Sequence, residues 1–262
     1  MTTVYDVSLK VAKEVMDVIE STATGGSTTT LADTTLLALL PNDHFNNGRL
    51  WIKSGTHASK VFIVSDFATA TGVVTFPSVT GAIVAGVRFA IARNTYPWDQ
   101  ILSAIQRALD STWVTDEITL TGDGESLEYT LPTGVYNVKG VELEDVSITN
   151  GGRKTSTHWK ETIDGALRFD YGYAPRADIE IIVSYRTPHA EIVDYTTVIN
   201  NEIDLEWLKY KAAYELLYNY GVPAYGAQIE YRVEERMNKI INGMKGKTPR
   251  REPDIRIHTA GG

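Results

Sequence analysis

The stretch YPWDQILSAIQRALDSTW, Tyr96–Trp113, constrains this chain most, because it reads as one amphipathic helix set between two β-rich blocks. Pro97 suits a first helical turn, where its missing N–H has no partner to lose. Asp99 adds a carboxylate near the positive helix end. Ile101, Leu102, Ile105, Ala108 and Leu109 recur at three- and four-residue steps and form one apolar face, with Arg107 and Asp110 opposite. A helix that spaces two β regions is expected to be buried on both sides, with Trp98 and Trp113 packed near its ends. No catalytic motif occurs in it or elsewhere in the chain, so function has to be argued from architecture.

Before this helix, Val4–Ile19 reads as another, with Val4, Val7, Val11, Val15 and Val18 on one stripe and Leu9, Met16 and Ile19 widening it. Its many β-branched residues make it dependent on a partner. The stretch STATGGSTTT, Ser21–Thr30, reads as a flexible linker. From Leu31 to Ala92 short strand signals follow at Leu50–Ile52, Lys60–Val64, Gly72–Phe76 and Gly86–Ala92, separated by Gly and Asn/Asp clusters. They predict a small barrel or sandwich with a polar, exposed loop at Pro41–Gly48.

A second β block runs from Asp116 to about Val198. ITLTGDGESLEYTL reads as a hairpin turning at Gly122-Asp123-Gly124, followed by strands at Val135–Val141, Ser147–Thr149, Leu167–Asp170 and Ile179–Tyr185. The spacing predicts a sandwich of about six to eight strands. From Asp204, a candidate N-cap, the helical period returns. Leu205, Leu208, Ala212 and Leu216 together with Trp207, Tyr210, Tyr214, Leu217 and Tyr218 make that helix apolar over much of its girth. Gly221 and Pro223 stop it, and a more polar helix is expected over Ala224–Met244. Lys245–Gly262 has no apolar period. Five basic residues (Lys245, Lys247, Arg250, Arg251, Arg256) against Glu252 and Asp254 leave it at +3.

The fold expected from this order is α+β. A bundle of about four helices carries a small β-barrel-like insertion and a larger antiparallel β-sandwich insertion, and an extended tail follows. The expected divisions are 1–20 (N-terminal helix), 30–93 (small β domain), 96–113 (central helix), 116–200 (sandwich), 203–244 (helix pair) and 245–262 (basic tail). Three separate modules in a row are the alternative, and the apolar girth of the 204–220 helix favours the bundle.

Composition narrows the function classes. A hydrophobic fraction of 43% and a charged fraction of 22% over 262 residues suit an ordinary globular chain. A net charge of −8 disfavours nucleic-acid binding as a main task. Without cysteine there is no disulfide, thiolate metal site or cysteine nucleophile. The N-terminus, with Asp6 and Glu14 and no basic start, does not read as a signal peptide, and no apolar run reaches membrane-span length.

The histidines at 44, 57, 158, 189 and 258 share no metal-ligand spacing and read as loop residues. No G-x-S-x-G elbow holds a serine, and GAIVAG at Gly81–Gly86 lacks the dinucleotide form. Asp123, Glu125, Glu128, Glu142, Glu144 and Asp145 match no EF-hand and read as a solvated edge. No catalytic residue, cofactor or metal is therefore expected. Trp207, Tyr210, Tyr214, Tyr218, Tyr225 and Tyr231 either pack the bundle or form a subunit interface, where tyrosine is enriched. The tail is either a solvated terminus or a segment that orders on a partner; the second is favoured because Ile255 and Ile257 alternate as an added strand does, and Lys245, Lys247, Arg250, Arg251 and Arg256 suit an acidic docking surface.

Three stretches carry a resemblance. TTTLADTTLLALLPNDHFNNGRLWI, with FATATGVVTF and AGVRFAIA, is similar to the small β-domain near the start of many phage neck proteins. YPWDQILSAIQRALDS is similar to the helix that follows that domain. EYTLPTGVYNVKGVELE, with the C-terminal LKYKAAYELL, completes the match. The chain thus resembles the head-to-tail adaptors (neck or connector proteins) of tailed bacteriophages. The resemblance implies a non-enzymatic virion protein, made in the host cytoplasm, that forms a homo-oligomeric ring, twelvefold to match a portal. Its implied partners are other copies, the portal protein and the next neck or tail protein. DNA passes only as non-specific cargo, and no membrane is involved. The tail Lys245–Gly262 is implied to reach the portal. The β insertions depart from the smallest, purely helical adaptors. A rival reading places a carbohydrate or receptor site on the sandwich, with Trp159, Tyr171 and Tyr173 as stacking aromatics.

Overall fold

The structure, a computed structural model, describes residues 1–135, 137–145, 152–177 and 179–221, together with Glu234, Glu235, Met237, Asn238, Lys239 and Asn242, which are helical. The rest of the expected helix Ala224–Met244 and the whole tail Lys245–Gly262 lie outside the described residues. So does Ser147–Thr149. The chain divides into two compact units. One takes Met1–Ser111 and the described residues from Ala190 onward, and the other takes Thr112–His189.

The expected helical bundle with β insertions is overturned. The described residues hold fifteen strands in four sheets, and only three α-helices of seven or more residues. In the first unit the elements are α1 (Val4–Val15), β1 (Val18–Thr22), β2 (Gly25–Gly26), β3 (Thr30–Ala32), β4 (Arg49–Ile52), β5 (Lys60–Ile63), β6 (Asp66–Ala68), β7 (Val73–Thr75), β8 (Arg88–Ala92), α2 (Trp98–Asp110) and α3 (Leu205–Tyr220). One sheet has the order β1-β8-β4-β5 and the other β2-β3-β7-β6, and every pairing is antiparallel.

The reason lies in β4. Its four residues, Arg-Leu-Trp-Ile, are all buried, so the strand shows no in–out alternation. Leu50 and Ile52 point into a core shared with Phe45, Phe67, Val74, Phe89 and Ile91. Trp51 points to the other face, opposite Ala90 of β8, and its indole N–H donates to the Ser8 hydroxyl of α1 at 3.2 Å. The Tyr5 hydroxyl of α1 donates to the Ile52 carbonyl at 2.7 Å. This sheet is therefore a middle layer with α1 on one side and the second sheet on the other. A helix stripe needs an apolar complement, and here a sheet face supplies much of it. The helices also pack on one another, α3 against α2 and α1.

Local differences have local causes. The first helix ends at Val15 instead of Ile19, because Val18 and Ile19 pair with Ala92 and Ile91 of β8. The stretch Ser21–Thr30 is not a linker. It completes β1, forms β2, and buries Ala23, whose N–H donates to the Val87 carbonyl at 2.8 Å. Its small residues serve close approach: a Cβ on Gly26 would lie 2.4 Å from the Thr30 carbonyl oxygen. The loop Pro41–Gly48 is polar at its surface but anchored by Phe45, which is fully buried and meets Phe67 edge to face. Pro97 caps α2 from outside instead of opening its first turn.

The second unit contains β9 (Trp113–Thr121), β10 (Glu128–Thr130), β11 (Val138–Asp145), β12 (Lys154–Ser156), β13 (Trp159–Glu161), β14 (Ala166–Phe169) and β15 (Ile179–Pro188). Sheets of order β12-β11-β15-β9 and β10-β14-β13 enclose one core of Val141, Leu167, Phe169, Ile181, Val183 and their neighbours. The hairpin expected over Ile118–Leu131 does not form. Its first arm, β9, pairs with β15, and its second, β10, pairs with β14 in the other sheet. Gly122-Asp123-Gly124 carries the chain between sheets. The Asp123 carboxylate accepts the N–H groups of Glu125 and Ser126 at 3.0 and 2.7 Å and the Tyr129 hydroxyl at 3.1 Å. The Ser126 hydroxyl and N–H, then Glu125 and Tyr129, hold this carboxyl well below the usual carboxylate range.

Candidate functional site

The described surface offers one aromatic stripe backed by a rigid element, on the outer side of α3. Asp204 caps this helix, its carboxylate accepting the N–H groups of Glu206 and Trp207, each at 2.9 Å. Leu208, Ala212, Leu216 and Leu217 are buried. Because the helix is apolar nearly all round, a second set of large side chains is left over once these are covered. Trp207, Lys211, Tyr214 and Tyr218 follow one another at steps of four, three and four, so they share one face. Trp207 and Tyr214 are half-buried, and Tyr218 is 74% exposed. The Tyr214 and Tyr218 rings stack at 5.8 Å and 14°, and Lys211 Nζ lies 5.4 Å from the Tyr214 ring centre.

The sequence does not separate these roles among the tyrosines. Tyr210 is buried and belongs to the inner side, with Lys209 Nζ 3.9 Å above its ring. Tyr225 and Tyr231 lie outside the described residues, as do Lys245, Lys247, Arg250, Arg251, Ile255, Arg256 and Ile257. Tyr220, at the end of the same helix, has the Arg107 guanidinium 6.0 Å from its ring centre. The helix end is pinned by the Tyr96 hydroxyl, which donates to the Gly221 carbonyl at 2.7 Å. Burial pushes that phenol up to about 12.

Lys209 fixes the helix. Its ammonium lies 2.7 Å from Glu206 and 3.2 Å from Glu14 of α1, with only 10% of the side chain exposed. Burial disfavours the charge, but Glu206, the Tyr210 side chain and Glu14 outweigh it and push the amine up to about 12. A folded-state value above the unfolded one, about 10.4, means that this stabilisation is complete below pH 10 and lost as the pH rises toward 12. Lys209→Met is expected to cost about 2 kcal/mol at pH 7, since Glu206 and the half-buried Glu14 both lose the ammonium that lies between them. Urea unfolding at pH 7 and pH 11 measures this, and the gap between variant and parent narrows at the higher pH.

The other sequence candidates are engaged elsewhere. His57 lies in the turn between β4 and β5, as its loop reading expects, but is buried there and bonded through Nε2 to the Gly81 carbonyl at 2.9 Å. Glu142 and Glu144 face the Arg153 guanidinium with Glu117, and Asp145 pairs with Arg176 at 2.7 Å. Among the described residues, no group of three or more His, Cys, Asp or Glu is placed to hold a metal ion. No described helix is long and apolar enough to cross a membrane. Trp159 packs against the sandwich core, its indole N–H donating to the Ser156 carbonyl, while Tyr171 and Tyr173 stand exposed.

Comparison with protein-family models finds no family that matches the chain, and comparison with curated protein sequences finds no match.

Proposed function

We propose that this chain is a non-enzymatic virion structural protein, the head-to-tail adaptor of a tailed bacteriophage. Copies form a ring below the portal, join capsid to tail, and let DNA pass through the lumen. The observation that carries the reading is the aromatic stripe of half-buried Trp207 and Tyr214 and exposed Tyr218 on a helix whose opposite side is already buried. Partly desolvated aromatics on a rigid support are what subunit interfaces use.

Size decides how such copies assemble. A fully buried aromatic side chain covers about 150–250 Å², and two of these three are already half-covered. The stripe contributes about 400 Å² per copy, short of the ~800 Å² per partner of a stable interface. Association is therefore weak in isolation and completed on a template, which the portal supplies. A net charge of −8 per copy also suits a lumen along which DNA slides without sticking.

The test uses the portal protein encoded with this chain. Alone, the protein is expected to sediment as a monomer or weak oligomer. Mixed with portal, it is expected to give a ring visible by electron microscopy. Deleting Lys245–Gly262 is expected to abolish docking with no change in the melting of Met1–Gly221. A truncated chain that still docks removes the tail from the portal contact, and a full chain that never assembles on the portal rejects the adaptor reading.

A further inference from the structure

The second unit presents a different kind of surface at the end of its three-stranded sheet. After β14 the chain makes a tight turn, Asp170-Tyr171-Gly172-Tyr173, closed by the Tyr173 N–H donating to the Asp170 carbonyl at 3.0 Å. Gly172 occupies the third position with φ +86°, which a type II turn requires and only glycine adopts without strain. Tyr171, at the second position, is 94% exposed. Tyr173 lies parallel to the His158 imidazole, with ring centres 3.6 Å apart and planes 13° apart. Tyr173 is 51% exposed, so the stack covers one face of the phenol and leaves the rest to solvent. The Asp170 carboxylate is 3.6 Å from His158 Nδ1, and the Asp170 N–H donates to the His158 carbonyl at 3.0 Å.

Single exposed apolar residues need no explanation. Here two tyrosines share one four-residue turn, one of them held flat by a stacked ring, with a carboxylate at the edge. A phenol presents a negative π face to the weakly positive C–H bonds of a sugar ring, and a tyrosine loses few rotamers on contact. The carboxylate can accept sugar hydroxyls and would repel a phosphodiester, as would the acidic chain as a whole. A neutral pyranose fits this combination, and a nucleotide does not.

We propose that the Asp170–Tyr173 turn, with His158 beneath it, is a carbohydrate-binding platform that takes a neutral pyranose ring of an oligosaccharide. One sugar ring lies on the open side of Tyr173 beside Tyr171, and Asp170 receives its hydroxyls. The platform lies in the second unit and does not depend on the adaptor reading.

The test is saturation-transfer NMR and calorimetry on the full chain with maltohexaose, cellohexaose, chitohexaose and a rhamnose hexasaccharide. At least one is expected to bind with a Kd on the order of 1 mM or below, a span open to one or two stacked rings. Tyr173→Ala and Tyr171→Ala are each expected to weaken that binding at least tenfold with unchanged melting, while Tyr218→Ala leaves it as it was. Gly172→Ala is a second probe: nothing lies within 4 Å of the added Cβ, so it strains the turn without a clash and is also expected to weaken binding. Absence of binding to all four sugars overturns the proposal. So does binding that survives loss of both tyrosines.

Discussion

Replacing Trp207, Tyr214 and Tyr218 together, by Ala, Ser and Ser, is expected to abolish assembly on the portal while leaving the fold intact. Central aromatic hot spots each cost about 2 kcal/mol or more on truncation. Two of them suffice for about 4 kcal/mol, close to a thousandfold in each subunit contact. A ring multiplies the loss, because every copy uses the contact twice. Stability is expected to move far less. Tyr218 is 74% exposed, and the inner side of α3, with Leu208, Ala212, Leu216 and Leu217, is untouched. Light scattering with and without portal reads the first effect, and a thermal melt reads the second. Rings of normal yield from the triple variant would exclude α3 from the subunit contact.

Trp51→Ala is expected to have the largest effect on stability, about 4 kcal/mol. Trp51 is fully buried on the helix-facing side of β4, and its indole N–H holds the Ser8 hydroxyl, which itself donates to the Tyr5 carbonyl at 2.9 Å. Truncation leaves a cavity between α1 and the sheet and removes the donor that orients Ser8. A domain has only about 5–15 kcal/mol in hand, so the first unit is expected to be partly unfolded near body temperature. Denaturant titration followed by tryptophan-independent circular dichroism checks this. A midpoint within the error of the parent would mean that α1 is not held through Trp51.

The two expected effects divide between the two sides of the helix layer. Its inner side, through Trp51 and Lys209, makes the unit stable, and its outer side carries the proposed contact. α3 reveals this division only in part. Its sequence says that too many apolar and aromatic residues are present for one buried stripe. It does not say that Tyr210 faces inward while Tyr214 and Tyr218 face out, because the excess surrounds the helix and no single stripe stands out.

What the sequence determined by itself is local: the apolar stripes of α1 and α2, the Asp204 cap, the glycine stop at Gly221, and two separate β-rich blocks. Each rests on residues within one or two turns of each other, so short-range chemistry is enough. Only the tertiary structure decided the partners. β9 and β10 read as one hairpin, yet each pairs with a strand far along the chain, since strand pairing is selected by burying both sheets' inner faces and not by the nearest turn. Ser21–Thr30 reads as a linker because small polar residues mark both linkers and close backbone contacts, and the difference lies in what stands opposite. β4 carries no alternation because it is buried on both faces, and that placed a sheet at the centre where helices alone had been expected.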